Sequence, residues 1–325
     1  MKSVWVRRAG GPDVLEVIDM PVPEPGPGEV RVSIRAIGVN YADVMGRKAI
    51  HRSIRPPPIV IGCEASGVID ACGPGVDPAR LNERVGVYSP FGGAYAEALT
   101  VPQQYALPLP EKMPFEEAAA FTHVFLTAHE ALNGVAPLRK GATVLVTAAA
   151  GGLGGALIQL VQAAEAQIIA AVGSEAKRQL LATRGLASII DYGKTDLTPA
   201  VLAATGGRGV DLAIETVGGD LFQQAQRALA PLGRIVIAGM AGGKEAPVDW
   251  AALLDRSATC TTLNLSVVFA HRPDRIRSMW SDLTRLYAAG KLQPRIGHRF
   301  KLQDAAEAHG LLESRASTDK ILLLS

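Results

Sequence analysis

Ala149, Gly151 and Gly154 stand between the apolar run 142–147 and the helical pattern 156–161, a spacing of small residues that can cradle an anion. Residues without bulk let the chain turn tightly and let backbone N–H groups approach a pyrophosphate. They also let the following helix lie close to the strand, with its positive end toward the charge. The pattern departs from G-x-G-x-x-G only in its first place, where Ala149 stands for glycine. A strand before the turn and a helix after it are the context a dinucleotide requires, so Gly151, Gly152, Leu153 and Gly154 are expected to bind one.

The end of the next strand candidate, Ala170-Ala171-Val172-Gly173-Ser174, bears on which dinucleotide. An acidic side chain there would accept hydrogen bonds from a ribose 2′-OH and repel a 2′-phosphate. No carboxylate occupies the strand end. Gly173 opens room, Ser174 can donate a hydrogen bond, and Lys177 supplies a positive charge in the first turn of the next helix. The pattern favours NADPH. Glu175 dissents, because its charge beside a phosphate costs affinity unless it points to solvent. Lys177 and Arg178 can also be read as an ordinary solvated helix face.

Such turns require a parallel sheet to carry them. After residue 123 the chain alternates strand candidates at 142–147, 167–172, 188–191, 210–215, 234–238 and 259–265 with helical patterns such as 177–184 and 219–229. Six strands in this rhythm make a doubly wound sheet of the α/β class. Residues 1 to about 120 instead place short apolar runs such as Val30-Arg31-Val32-Ser33-Ile34 between Pro and Gly turns, the pattern of many short strands. Beyond residue 266 come a helix candidate at 274–289, an extended stretch at 297–302, a helix at 304–313 and a strand at 320–324. This tail can complete either domain.

Two domains are expected at 325 residues. A net charge of +2 with no gathering of Lys and Arg excludes a nucleic-acid groove. Cys63, Cys72 and Cys260 are odd in number and far apart, which fits a reducing compartment and offers no disulfide framework. The charged, strand-like N-terminus has no signal-peptide pattern, and the cytoplasm is the expected location. Residues 141–164 carry no charge and can pass for a membrane span. Four central glycines, with Gln159 and Gln162 beyond them, argue instead for a buried strand and helix.

Several short stretches match one known family in order and spacing: Gly38-Val39-Asn40-Tyr41-Ala42-Asp43, Gly62-Cys63-Glu64-Ala65-Ser66-Gly67-Val68, Gly92-Gly93-Ala94-Tyr95-Ala96-Glu97, 148–154, 210–218 and Leu312-Glu313-Ser314-Arg315. Through them the chain resembles, essentially end to end, the quinone oxidoreductase branch of the medium-chain dehydrogenase/reductase superfamily, zinc-free relatives of alcohol dehydrogenase that include zeta-crystallin. The resemblance implies a GroES-like β-barrel catalytic domain from residues 1–122 and 267–325, with a Rossmann NADPH-binding domain, 123–266, inserted between them. It also implies an active site in the cleft and a homodimer commonly joined through the Rossmann sheets.

The same resemblance assigns roles. Lys177 and Tyr192 fall to the adenosine phosphate, while Val217, Gly239 and Asn264 line the cofactor and Arg315 reaches it from the barrel side. Asn40 and Thr127 fall near the nicotinamide. His51 stands where many relatives carry Tyr, and histidine can donate a proton near neutral pH. Zinc ligands of metal-dependent relatives correspond to Asn40, Cys63 and His123. The last two can bind a metal, but Asn40 is a poor ligand and the four cysteines of the structural zinc lobe are absent, so no metal is expected. Glu64 matches a carboxylate near that metal and is expected to hold the barrel together through backbone hydrogen bonds.

Losing the Lewis acid constrains the substrate. A ketone needs its oxygen polarised to accept hydride, whereas a quinone is already electron-poor and needs positioning alone. The expected activity is NADPH-dependent quinone reduction. An enone, alkenal or enoyl-thioester reductase shares the scaffold, and a non-catalytic NADPH-binding interaction protein is the reading of a different class.

Overall fold

Val30, Val32 and Ile34 alternate with Glu29, Arg31 and Ser33, so this segment has one apolar and one polar face and forms a strand with the apolar set buried. The computed structural model describes residues 1–325. In its N-terminal part lie β1 (Lys2–Val6), β2 (Leu15–Asp19), β3 (Glu29–Val39) and β4 (Ile59–Val60), followed by β5 (Glu64–Cys72), β6 (Arg84–Tyr88), β7 (Ala98–Pro102) and β8 (Ala106–Pro108). The middle holds β9 (Thr143–Val146), β10 (Gln167–Val172), β11 (Ile189–Asp191), β12 (Val210–Glu215), β13 (Leu229–Ile237) and β14 (Thr259–Thr262). The tail adds β15 (Ile296–Lys301) and β16 (Lys320–Leu324).

Two units result, one of 1–126, 266–289 and 294–325, the other of 127–265 with 290–293. Compared with the limits expected from sequence, 123–126 and Ser266 fall in the first unit and 290–293 in the second. The tail strands complete the first unit, a choice the sequence left open.

In the first unit β3 is the organising strand of a seven-stranded sheet, ordered β15-β16-β3-β5-β6-β8 with β7 also on β3. One edge of β3 is shared. Its first half, from Glu29 to Ser33, pairs with β7, and its last residues, from Ala36 to Val39, pair antiparallel with β16. Strands β2, β1 and β4 form a smaller sheet. Val4, Val6, Val30, Val32, Ile37, Ile61 and Ile69 lie in the core that both sheets enclose.

The second unit is a single parallel sheet, ordered β11-β10-β9-β12-β13-β14. Val144, Leu145 and Val146 of β9 are all fully buried, the unbroken apolar run expected of a parallel strand covered on both faces. Order reverses between β9 and β12, and ligands of such sheets bind beyond the carboxyl ends of the strands at that point. Two strands differ from the sequence expectation by more than one residue at an end. β13 begins earlier, at Leu229, because Leu232 bulges at φ +60° and shifts its register on β12, and β14 stops at Thr262 because the helix Leu265–His271 follows at once. No helix of the protein is long and apolar enough to cross a membrane, so the uncharged stretch 141–164 is indeed β9 and the helix Gly152–Ala163.

The turn between them explains its own composition. The left-handed residue is Ala148, at φ +46°, so Ala149 does not need glycine's freedom and stands in its place. At Gly154 a Cβ would lie 2.5 Å from the Ala148 carbonyl oxygen and 2.6 Å from the Ala149 Cα, whereas a Cβ at Gly155 would meet nothing within 4 Å. Gly154→Ala is therefore expected to cost roughly 1–3 kcal/mol of unfolding free energy by forcing helix and strand apart. Gly155→Ala should stabilise by up to about 1 kcal/mol. Urea titration of both variants checks the contrast.

Candidate functional site

Asn40 follows β3 and caps the helix Tyr41–Arg47, its backbone N–H donating to Asp43 Oδ2 at 2.8 Å. Because Ile321 lies opposite Val39, the register of β16 brings Lys320 beside Asn40. Lys320 Nζ donates to Asn40 Oδ1 at 2.6 Å and to Glu64 Oε2 at 2.6 Å. The Asn40 amide in turn donates to Glu64 Oε2 at 3.1 Å and to the Gly38 carbonyl at 3.2 Å. The other carboxylate oxygen, Glu64 Oε1, accepts the backbone N–H of His123 at 2.6 Å. Glu64 thus makes the expected backbone bond. It is also paired with a buried ammonium, that of Lys320, which sequence reasoning did not single out. Gly38 makes this possible, since a Cβ there would lie 2.5 Å from Glu64 Oε2.

Behind this cluster runs a chain of buried polar groups. Arg47 can only donate, so His309 Nδ1 accepts from it at 3.2 Å and carries its own proton on Nε2. His309 Nε2 then donates to the Tyr95 hydroxyl at 3.0 Å, and Tyr95 donates to Asp43 Oδ2 at 3.2 Å. Burial pulls the His309 and His123 imidazoles down to about 3, and pushes the Asp43 carboxyl up to about 6. Burial also raises the Cys63 thiol well above its ordinary range, with the neighbouring Asp43 charge adding to the effect. Such a thiol stays protonated and is a poor nucleophile. His51 lies in the loop after the helix Tyr41–Arg47, where its Nδ1 accepts the backbone N–H groups of Ser53 and Ile54 at 3.1 and 3.0 Å.

In the second unit the expected cofactor residues gather along one edge of one sheet. Gly151 to Gly154 follow β9 and open the helix Gly152–Ala163, Gly173, Ser174 and Lys177 follow β10, and Tyr192 follows β11. Val217, Gly239 and Asn264 come just after β12, β13 and β14. Gly173 is glycine because a Cβ there would press on the Tyr192 ring at 3.1 Å. Ser174 caps the helix Glu175–Thr183, its hydroxyl accepting from the Lys177 N–H at 3.4 Å.

Glu175, whose charge spoke against a phosphate, is bound elsewhere. Its carboxylate takes Arg178 through two nitrogens and Lys194 at 3.3 Å, and Arg178 foremost pulls it down to about 2. Sequence reasoning missed the group at the switch point itself. Thr147 Oγ1 donates to Glu215 Oε1 and accepts the Thr216 N–H, while the buried Glu215 carboxylate gathers the N–H groups of Val217 and Gly218. Two residues fall outside these groups. Thr127 is buried in the helix Thr122–His129, and Arg315 is exposed in the first unit, ending the helix Ala305–Glu313 in the left-handed conformation.

Comparison with known proteins matches both units. Residues 26–111 fit the model of the alcohol dehydrogenase GroES-like domain, and 152–286 fit that of the zinc-binding dehydrogenase. A quinone oxidoreductase of Pseudomonas aeruginosa is 33% identical over 323 residues, covering 99% of each chain. The chain belongs to the quinone oxidoreductase family of medium-chain dehydrogenases/reductases. Among solved structures of this family, the Escherichia coli quinone oxidoreductase complexed with NADPH superposes with a TM-score of 0.93 at 28% identity, covering 100% of each chain. A mycobacterial protein complexed with NADPH gives a TM-score of 0.94 at 33% identity, again over 100% of each chain.

The zinc of the wider superfamily does not suit this donor set. No three His, Cys, Asp or Glu side chains stand together to hold a metal ion, and the Lys320 ammonium already neutralises Glu64. A dication would have to displace that ammonium or sit against it.

These buried groups determine how stability depends on pH. His123 and His309, neutral in the fold near pH 5, must take up protons on unfolding, a contribution present above about pH 6.5 and lost on acidification. Asp43 has the opposite sign, since its raised value favours the fold below the unfolded carboxylate range and loses that advantage as pH rises through about 6. Between pH 4 and 6 the two histidines outweigh Asp43, and Glu215, which burial also raises, offsets part of the difference. The stability should therefore fall on acidification, by on the order of 1 kcal/mol per unit. Urea midpoints at pH 7 and pH 5 test this, and a higher midpoint at pH 5 contradicts it.

Proposed function

We propose that this chain is an NADPH-dependent, zinc-independent quinone oxidoreductase. The observation that carries the reading is the corner after β10, where the Glu175 carboxylate is bound to Arg178 and Lys194. That neutralises the acid between Ser174 and Lys177, while Asp191, directly before Tyr192, is buried with one oxygen accepting the Gly193 N–H. Lys177 and Tyr192 would hold that phosphate, and the N–H groups opening the helix Gly152–Ala163 would hold the pyrophosphate. Val217, Gly239 and Asn264 would border the nicotinamide from the same sheet edge, with Asn40, Thr127 and Arg315 assigned to the cofactor as well. Bound NADPH supplies hydride.

The protein's part is positioning. Asn40 is fixed at both ends of its amide by Lys320, Glu64 and Gly38, which gives its surroundings one rigid geometry rather than a mobile acid or base. With no metal ligand set to polarise a ketone, an acceptor that is already electron-poor fits best, and a quinone is that acceptor. Three free cysteines support the reducing cytoplasm as its compartment.

The same reading makes the enzyme a homodimer. β14 is paired on one side only, and near it Leu232, Trp250 and Leu254 are 76%, 72% and 69% exposed. Leu232 bonds to the carbonyl of Arg256, which ties the bulge to the segment after Leu254. A free strand edge beside an apolar patch suits a second copy related by a two-fold axis. Sedimentation as a 34.1 kDa monomer would set this aside.

The function is tested in two arms. In titration calorimetry Lys177→Ala should weaken NADPH binding by about 1–3 kcal/mol and leave NADH nearly unchanged. Equal affinity of the native protein for both cofactors would refute the assignment. In steady state, simple quinones should outrun enones and saturated ketones, with activity surviving prolonged chelation. Turnover of alcohols or ketones alone, or loss of activity with the removal of stoichiometric zinc, overturns the reading.

A further inference from the structure

His51 is locked by its own loop. Its Nδ1 accepts two backbone donors, the N–H groups of Ser53 and Ile54, at 3.1 and 3.0 Å. A nitrogen in that role has no room for a proton, so the neutral ring carries its hydrogen on Nε2. Converting the ring to imidazolium would turn Nδ1 from acceptor to donor against two N–H groups, and burial of the half-exposed ring acts in the same direction. Nε2–H is left without an acceptor in the protein. The ring is near enough to His123 for their charges to couple, and the His123 N–H is bonded to Glu64 beside Asn40. The ring therefore lies near His123, whose N–H joins the cluster of Glu64, Asn40 and Lys320.

We propose that His51 serves the reaction as a neutral imidazole, its Nε2–H donating a hydrogen bond to the substrate oxygen on which negative charge develops. This rests on the quinone reductase reading above. Addition of hydride to a quinone brings two electrons and one hydrogen nucleus and leaves the charge on oxygen. The proton that completes the hydroquinone comes from water. His51 ends the step as it began it, protonated on Nε2, and so differs from a general acid. A fixed donor aimed at a developing oxyanion is worth about 100-fold or more in turnover.

The two ring nitrogens can be tested separately. His51→Asn keeps an acceptor near the Nδ1 position for the loop and loses the donor, whereas His51→Gln keeps an N–H near Nε2. With NADPH and 1,4-benzoquinone, His51→Asn should lower kcat by about 100-fold, and His51→Gln by less than about 10-fold. Two-bond proton–nitrogen correlation spectra of nitrogen-15 histidine-labelled native protein should show His51 neutral and protonated on Nε2 at pH 7. Equal activity of His51→Asn and the native enzyme, equal losses in the two variants, or an imidazolium or Nδ1–H form at pH 7 overturns the proposal. A native enzyme that reduces no quinone overturns the reading beneath it as well, and the native assay distinguishes that failure from the others.

Discussion

One buried carboxylate holds the first unit together. Glu64 is fully buried, and an ionised group in that position is tolerable only if every lone pair is answered. Its donors come from three separate places, the start of the helix Thr122–His129, the cap of the helix Tyr41–Arg47 and the first residue of β16, and Gly38 in β3 leaves room for the carboxylate. Removing any one of them leaves the others around an uncompensated charge, which typically costs about 3–5 kcal/mol when a buried pair is broken. The position of Asn40 is a by-product of this requirement. Its amide is needed by Glu64 and Lys320 before it is available to anything else.

The second unit meets the same constraint differently. Glu215 is also fully buried, yet no cation faces it, and the backbone N–H groups of Val217 and Gly218 with the Thr147 hydroxyl answer its oxygens instead. Burial raises the proton affinity of Glu215, opposed by those hydrogen bonds. The outcome is a loop of defined shape at the point where strand order reverses. One carboxylate joins distant segments and the other shapes a single turn. Both put rigid backbone where a ligand of this fold would lie.

What could be read in the sequence follows from the range of each interaction. β10, β12 and β16 match their expected limits because an apolar run bounded by polar or small residues marks a buried strand locally. The start of β13 could not be placed, since its bulge at Leu232 depends on a register with β12. The pairing of Glu175 with Arg178 lies three residues apart and was open to inspection, but its meaning needed Lys194 from the next strand's far end. Lys320 looked like an ordinary charge before an apolar strand. Only its partner, 280 positions earlier, shows that the ammonium is buried. Tyr95 and His309, 214 positions apart, were hidden for the same reason.

The placement of β16 also sets a timetable. A ribosome makes Lys320 280 positions after Asn40. At about 5–20 residues per second, the early strands wait on the order of tens of seconds for the ammonium that completes them. The parallel sheet lies wholly within that interval of synthesis, from β9 to β14, and closes without any segment from the tail. The nascent chain thus passes through a stage in which its middle is finished and its beginning is not, with one edge of β3 only half covered. Any factor that stalls synthesis before β16 leaves the part made first as the part left open.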